Sequence, residues 1–197
     1  FRQVMSHLYA DIAGRYLPND QIAILNSASV ADVESFVKQL LSEGAVEALV
    51  AGNHIEETAM QVANLLKVFN LKELASLRQV VRLTEEDRFR EVFVEHNDAV
   101  LLRYIQGDST SIKERALISL LANITSSAFY NELRTEKQLG YVVAAFPMHI
   151  NRVPGMSFIV QSPVASEDQL QEEFENFSQH FDRSIQDLTF ENFSTEE

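Results

Sequence analysis

The sequence predicts an α+β fold, with helices layered on mainly antiparallel sheets and divided into two units, each incomplete. Three observations predict it. Amphipathic helical stripes alternate with short apolar runs of strand length along the whole chain. The apolar runs of the second part come in pairs joined by short polar turns, "HND" at 96–98 and "HINRVP" at 149–154, too short for a crossover helix. A polar stretch, "NLKELASLRQ" at 70–79, carries charges without a wide apolar face and reads as a linker, which puts a boundary near residue 75.

Ser29 with an acid three residues on opens a helix whose Val30, Val33, Phe36, Val37, Leu40 and Leu41 share one stripe. "AVEALVA", 45–51, reads as a strand closed by Gly52-Asn53, after which Ala59, Val62, Ala63, Leu66 and Phe69 recur at helical spacing. Beyond the linker, "REVFVE" and "AVLLRYIQ" flank "HND" as a hairpin. Ser111 and Glu114 form a capping box ahead of a helix with Leu117, Leu120, Leu121 and Ile124 facing inward, and a second short helix covers about 127–137. The strands "GYVVAAFPM" and "GMSFIVQS" enclose "HINRVP", and Ser166 caps a final helix that buries Leu170, Phe174, Phe177, Phe181, Ile185 and Leu188.

Composition narrows the function. The 197 residues carry 16 basic and 29 acidic side chains, a net charge of -13 that repels phosphate backbones and anionic headgroups, so nucleic acid is not an expected partner. No apolar run approaches the roughly 20 residues that cross a bilayer, and no membrane is expected as a partner. Without cysteine there is neither a disulfide nor a thiolate ligand or nucleophile. The chain starts at Phe1 on a helical pattern and stops after a helix-start signal, "STEE", which raises the expectation that it is a piece of something longer.

The candidate chemistry is sparse. His7, His54, His96, His149 and His180 include no pair three or four residues apart, so no local zinc site is expected. "HIEET", 54–58, matches the inverted zinc motif H-x-x-E-H except that Thr58 stands where the second imidazole belongs, and a hydroxyl does not replace that ligand. The structural reading is that Asn53 caps a helix with Glu56 and Glu57 in its first turn. No G-x-S-x-G elbow or Gly-rich phosphate loop exists among 6 glycines. The pairs Glu85-Glu86 and Glu172-Glu173 read as solvated helix faces. Taken alone, the chain lacks the parts for hydrolysis.

One stretch stands apart. "LRTEKQLGY", 133–141, puts Arg134 near a helix end and Tyr141 at a strand start, positions that dipole and strand propensity also favour. It lies within "AFYNELRTEKQLGYVVAAFPMHINRVPGMSFIVQS", 128–162. That run resembles the insulinase-like family of inverted-motif zinc metallopeptidases, to which pitrilysin and insulin-degrading enzyme belong, in a segment similar to that family's "FxxLRTxxQLGYxV", with Tyr130 at its aromatic position, and in the following "GxxFxxQS" strand. "VEALVAGN" also resembles the strand ending the third domain of those proteins.

The resemblance implies four homologous domains in two halves closing around a chamber, with the zinc motif in the first domain. Residues 1–75 would then be the end of the third domain and 76–197 the opening portion of the fourth, truncated. Zinc would be held in the parent protein outside this chain, which would carry no cofactor itself. By the same resemblance, Arg134 and Tyr141 reach the substrate, and Tyr130 matches an aromatic position near the cleaved bond. A phenolic O–H and a guanidinium aimed at the peptide would supply donors as charge builds on the carbonyl oxygen. The implied partners are peptide substrates and the N-terminal catalytic half of the same polypeptide, with self-association through an exposed sheet edge. The implied activity is that of a zinc metalloendopeptidase, with this portion alone inactive because it lacks H-x-x-E-H. The resemblance implies a bacterial periplasm, with the cytoplasm as the alternative. A different class of function for the same fold is a non-catalytic scaffold or peptide-binding subunit.

Overall fold

The computed structural model describes residues 1–46, 48–53, 55–67, 69, 79–84, 88–93 and 95–186. They fall into two compact units, Tyr16–Gln79 and a larger one made of Phe1–Arg15 with Val80–Glu197. The boundary expected near residue 75 lies outside the described residues, as do Glu85-Glu86, Leu188 and "STEE". The first 15 residues, grouped by the sequence reading with those up to 75, belong to the larger unit.

The smaller unit holds α2 (Pro18–Ser27), α3 (Val30–Glu43) and α4 (Glu56–Leu66). Pro18 starts α2, where its missing N–H costs no helical bond. Ser29 and Asp32 cap α3 reciprocally, as the sequence predicts. The α3 stripe from Val30 to Leu41 is exposed, and of the α4 stripe Ala59, Val62 and Leu66 are half-buried while Ala63 and Phe69 are exposed. Two expectations fail here. The described residues of 45–51 form no strand, since an extended run without a neighbouring strand leaves its ladder groups unpaired. The N-cap of α4 is Ile55, without a side-chain cap, rather than Asn53, although Glu56 and Glu57 do occupy the first turn.

The larger unit is α+β: α1 (Arg2–Ala13), β1 (Ala99–Gln106), α5 (Ile112–Tyr130) running into a π-helical turn (Asn131–Glu136), β2 (Val142–Pro147), β3 (Gly155–Ser162) and α6 (Glu167–Gln186). The three strands form an antiparallel sheet in the order β1-β3-β2. Every residue of the central β3 is buried, so its apolar Met156, Phe158, Ile159 and Val160 occupy both faces rather than alternating with exposed polar residues. On one face Met156, Phe158 and Val160 pack with Val143 and Ala145 under Phe129 and Leu133 of the α5 layer and Leu170, Phe174 and Phe177 of α6. Phe129 meets Phe158 and Phe177 edge to face at 5.3 and 5.0 Å between centroids. On the other face Phe146 and Tyr104 join Met148 and Ile150 against Ile12, Leu8 and Met5 of α1.

The hairpin expected across "HND" does not form. β1 pairs along its whole length with β3, from Ala99 opposite Ser162 to Gln106 opposite Gly155. The described residues of "REVFVE" are not strand, and Phe93 is left 92% exposed, so no burial offsets their ordering. The expected second hairpin is present. Ile150 and Val153 exchange both backbone bonds at 3.0 Å around Asn151 and Arg152, whose φ values of 46° and 76° are the signature of a type I′ turn.

The two helices expected between β1 and β2 are one, because the chain passes from α5 into the π-helical turn without a break. Ser111 Oγ accepts from the Glu114 N–H at 3.2 Å, but the Glu114 carboxylate serves Asp108 N–H and Ser109 Oγ instead of closing the box. The buried side of α5 is Ala122, Thr125 and Phe129, while Leu117 and Leu120 face out. On α6, Ser166 and Gln169 cap reciprocally at 2.9 and 3.3 Å, and the stripe is buried as expected from Leu170 to Phe177, with Phe181 and Ile185 half-buried.

Candidate functional site

The site is built where the π-helical turn meets the start of β2. A π turn spreads one extra residue over the helical repeat, re-aiming the side chains that follow it. Leu133 points fully into the core, and Arg134, next to it, is half-buried at the surface. The turn stops at Gln138, which adopts a left-handed φ of 52°, and Leu139 N–H closes back onto the Leu133 carbonyl at 2.9 Å. An αL conformation at a residue with a Cβ is held only when its surroundings fix it. Lys137 supplies one such restraint, bonded to Glu132 at 2.7 Å and to Glu173 of α6 at 2.6 Å. Burial disfavours the Lys137 charge, but the two carboxylates outweigh it and raise its pKa. Glu173 is therefore tied down, and only Glu172 of that pair is a solvated face.

Arg134 Nη1 donates to the Gly140 carbonyl at 2.7 Å, immediately before Tyr141. The structure thus brings Arg134 and Tyr141 to the same corner, and Tyr141 is 52% exposed there. Its hydroxyl donates to Asp98 Oδ2 at 2.6 Å. Gln161 Nε2 donates to the same Asp98 oxygen at 2.9 Å and also to the Tyr141 oxygen. The bonds from Tyr141 and then Gln161 hold the Asp98 pKa below the ordinary carboxylate value, and the bond to Asp98 raises that of Tyr141. On its other side Asp98 faces His96, whose Nδ1 lies 3.4 Å from Oδ1 and accepts the Asp98 N–H at 3.0 Å.

Tyr130 is placed differently. It is 48% exposed and lines a shallow groove of about 370 Å³ with Ser126, Ser127 and Asn131 on one wall and Val143, Ala144 and Ala145 on the other. Neither Arg134 nor Tyr141 lines that groove.

Sequence reasoning missed Asp98 and Gln161. Asp98 sat in a segment read as a simple turn, and only the true pairing of β1 with β3 carries it to Gln161 and Tyr141. Gln161 did leave a signal, a long polar amide in a largely apolar strand, where burial demands a partner. Among the described residues no group of three or more His, Cys, Asp or Glu could hold a metal ion, and no helix is long and apolar enough to cross a membrane.

Gly140 makes this corner possible. A Cβ there would lie 2.1 Å from the Gln161 carbonyl oxygen and 2.9 Å from its carbon, both backbone atoms of the central strand. Gly140→Ala is expected to destabilise the larger unit by about 1–3 kcal/mol, because the β2 entry must lift away from β3. Urea unfolding of the variant chain measures this, and an unchanged midpoint would show that the entry is not pinned.

Three comparisons place the chain among known proteins. The sequence model described as PQQ synthase PqqF-like, C-terminal lobe domain 4, matches residues 120–197. The insulin-degrading enzyme of Homo sapiens is 32% identical over 181 residues, covering 86% of this chain and 18% of the relative. Protease 3 of Escherichia coli (strain K12) is 33% identical over 153 residues, 71% of this chain and 15% of the relative. A crystal structure of pitrilysin superposes with a TM-score of 0.81 at 27% identity, over 98% of this chain and 21% of that one. The chain therefore spans about a fifth of the length of the proteins it matches.

Proposed function

We propose, on the premise that the chain belongs to the insulinase-like family, that it is the substrate-contacting, metal-free portion of a longer zinc metalloendopeptidase that cuts peptides in a closed chamber. The observation that carries this is the tether from Arg134 to the carbonyl beside Tyr141, which keeps a cation and a phenol at one exposed corner. Structural ion pairing does not require that arrangement, since Arg134 has no carboxylate partner among the bonds it makes there and one carbonyl leaves most of its five donors open. The guanidinium would bind and orient a peptide backbone, and Tyr130 would border it from the neighbouring groove.

The described residues do not fit a zinc site. The parent would hold it in an N-terminal catalytic half, and a bacterial periplasm is the setting we propose. Self-association remains part of the proposal because β2 is a free edge among the described strands. The Met148–Gly155 bond and the register direct the backbone groups of Val143 and Ala145 away from β3.

A fluorogenic peptide assay tests the reading. The longer protein should cleave the peptide and lose activity on chelation, while the 197-residue chain alone should show none. Chelator-sensitive cleavage by the purified chain itself would overturn the assignment.

A further inference from the structure

A phenol has one proton and two lone pairs. In Tyr141 that proton is already committed to the Asp98 carboxylate at 2.6 Å, and Gln161 Nε2 occupies one lone pair. A charged acceptor holds a proton more strongly than a peptide carbonyl does, so an arriving carbonyl competes poorly for it. What remains open at Tyr141 is a lone pair, which accepts. Arg134 is the reverse, a group with donors only, one of them spent on Gly140. The corner thus offers a donor and an acceptor side by side, the complement of a peptide bond's carbonyl and N–H.

We infer that Asp98 is a positioning residue that fixes the polarity of the site, making Tyr141 the acceptor for a backbone N–H of the bound peptide while Arg134 donates to a backbone carbonyl. The inference rests on the proposed peptide-binding role and adds to it which backbone group each side chain reads. The raised pKa of Tyr141 and the lowered one of Asp98 accord with the proton lying between them. Among the described residues the other titratable side chain facing Asp98 is His96, whose Nδ1 lies 3.4 Å from Oδ1.

The test uses the intact longer protein and a series of peptides in which each backbone amide in turn is replaced by an ester, which removes one N–H. Competition constants are measured against a fluorogenic peptide. One ester position should weaken binding about three- to tenfold, the worth of a single hydrogen bond. That penalty should vanish in Tyr141→Phe and shrink in Asp98→Asn, where the phenol regains freedom to donate. Ultraviolet titration of the phenols, with Tyr141→Phe as the reference, should show the Tyr141 pKa falling in Asp98→Asn. If Tyr141→Phe leaves peptide binding unchanged, both the peptide-contact reading and this inference fail. If it weakens binding but its penalty is the same for every ester, or if Asp98→Asn leaves the Tyr141 titration in place, only the polarity assignment fails.

Discussion

Arg134→Ala is expected to lower kcat/KM for peptide cleavage by the longer protein on the order of 10²-fold, the scale of removing a pre-aimed donor from an active site. Two losses combine. The guanidinium disappears from the corner, and the Gly140 carbonyl loses the bond at 2.7 Å that holds the β2 entry against the π-helical turn. Arg134→Lys separates them. A lysine ammonium carries the charge but lacks the planar fork, so it can tether the carbonyl or address a peptide but does both poorly. Lysine should therefore recover only a small part of the activity. Steady-state kinetics decides this, with circular dichroism of each variant as a check that the fold is kept. Activity within about threefold of the parent in Arg134→Ala would remove Arg134 from the site, since an effect that small is below 1 kcal/mol.

Phe129→Ala is expected to cost the larger unit about 3–5 kcal/mol, the range for truncating a fully buried aromatic. Phe129 is 0% exposed, and its ring is met edge to face by Phe158, Phe174 and Phe177, so one side chain joins α5, the central strand and α6. Nothing nearby can collapse into the gap easily, because the partners are rigid rings held by further ring contacts, Phe158 with Phe174 and Phe177 with Phe181. A loss of this size is a large share of a domain's usual stability of about 5–15 kcal/mol. Urea unfolding followed by far-ultraviolet circular dichroism gives the value, and a cost below about 1 kcal/mol would mean that the three-way aromatic junction does not hold the layers together.

The sequence made the helix layer legible and the strand pairing much less so. Ser29, Ser111 and Ser166 each begin a helix, because a cap is a local bond among four residues. The β2–β3 hairpin was equally local, closed by a two-residue turn at Asn151 and Arg152. β1 was different. Its partner residues lie 49 to 63 positions away, and the nearer candidate across "HND" is attractive only because short-range pairing is all a pattern can show. Misplacing that pair hid the site's third member, since Asp98 reaches Tyr141 and Gln161 through the β1–β3 register.

The π-helical turn was also illegible. "NELRTE" has ordinary helical propensity, and the wider turn follows from tertiary demands: Leu133 must reach the core, and Lys137 must meet Glu173. Helix faces shifted for a related reason. Leu117 and Leu120 belong to the apolar stripe by period, yet the sheet lies against Ala122, Thr125 and Phe129.

The most direct measurement is a structure of the longer protein with an uncleaved peptide bound. The Arg134 guanidinium and the Tyr141 hydroxyl are expected within about 3 Å of polar atoms on the peptide's backbone, Arg134 at a carbonyl and Tyr141 at an N–H. A peptide bound elsewhere, or a packed protein interface covering both side chains, would contradict it.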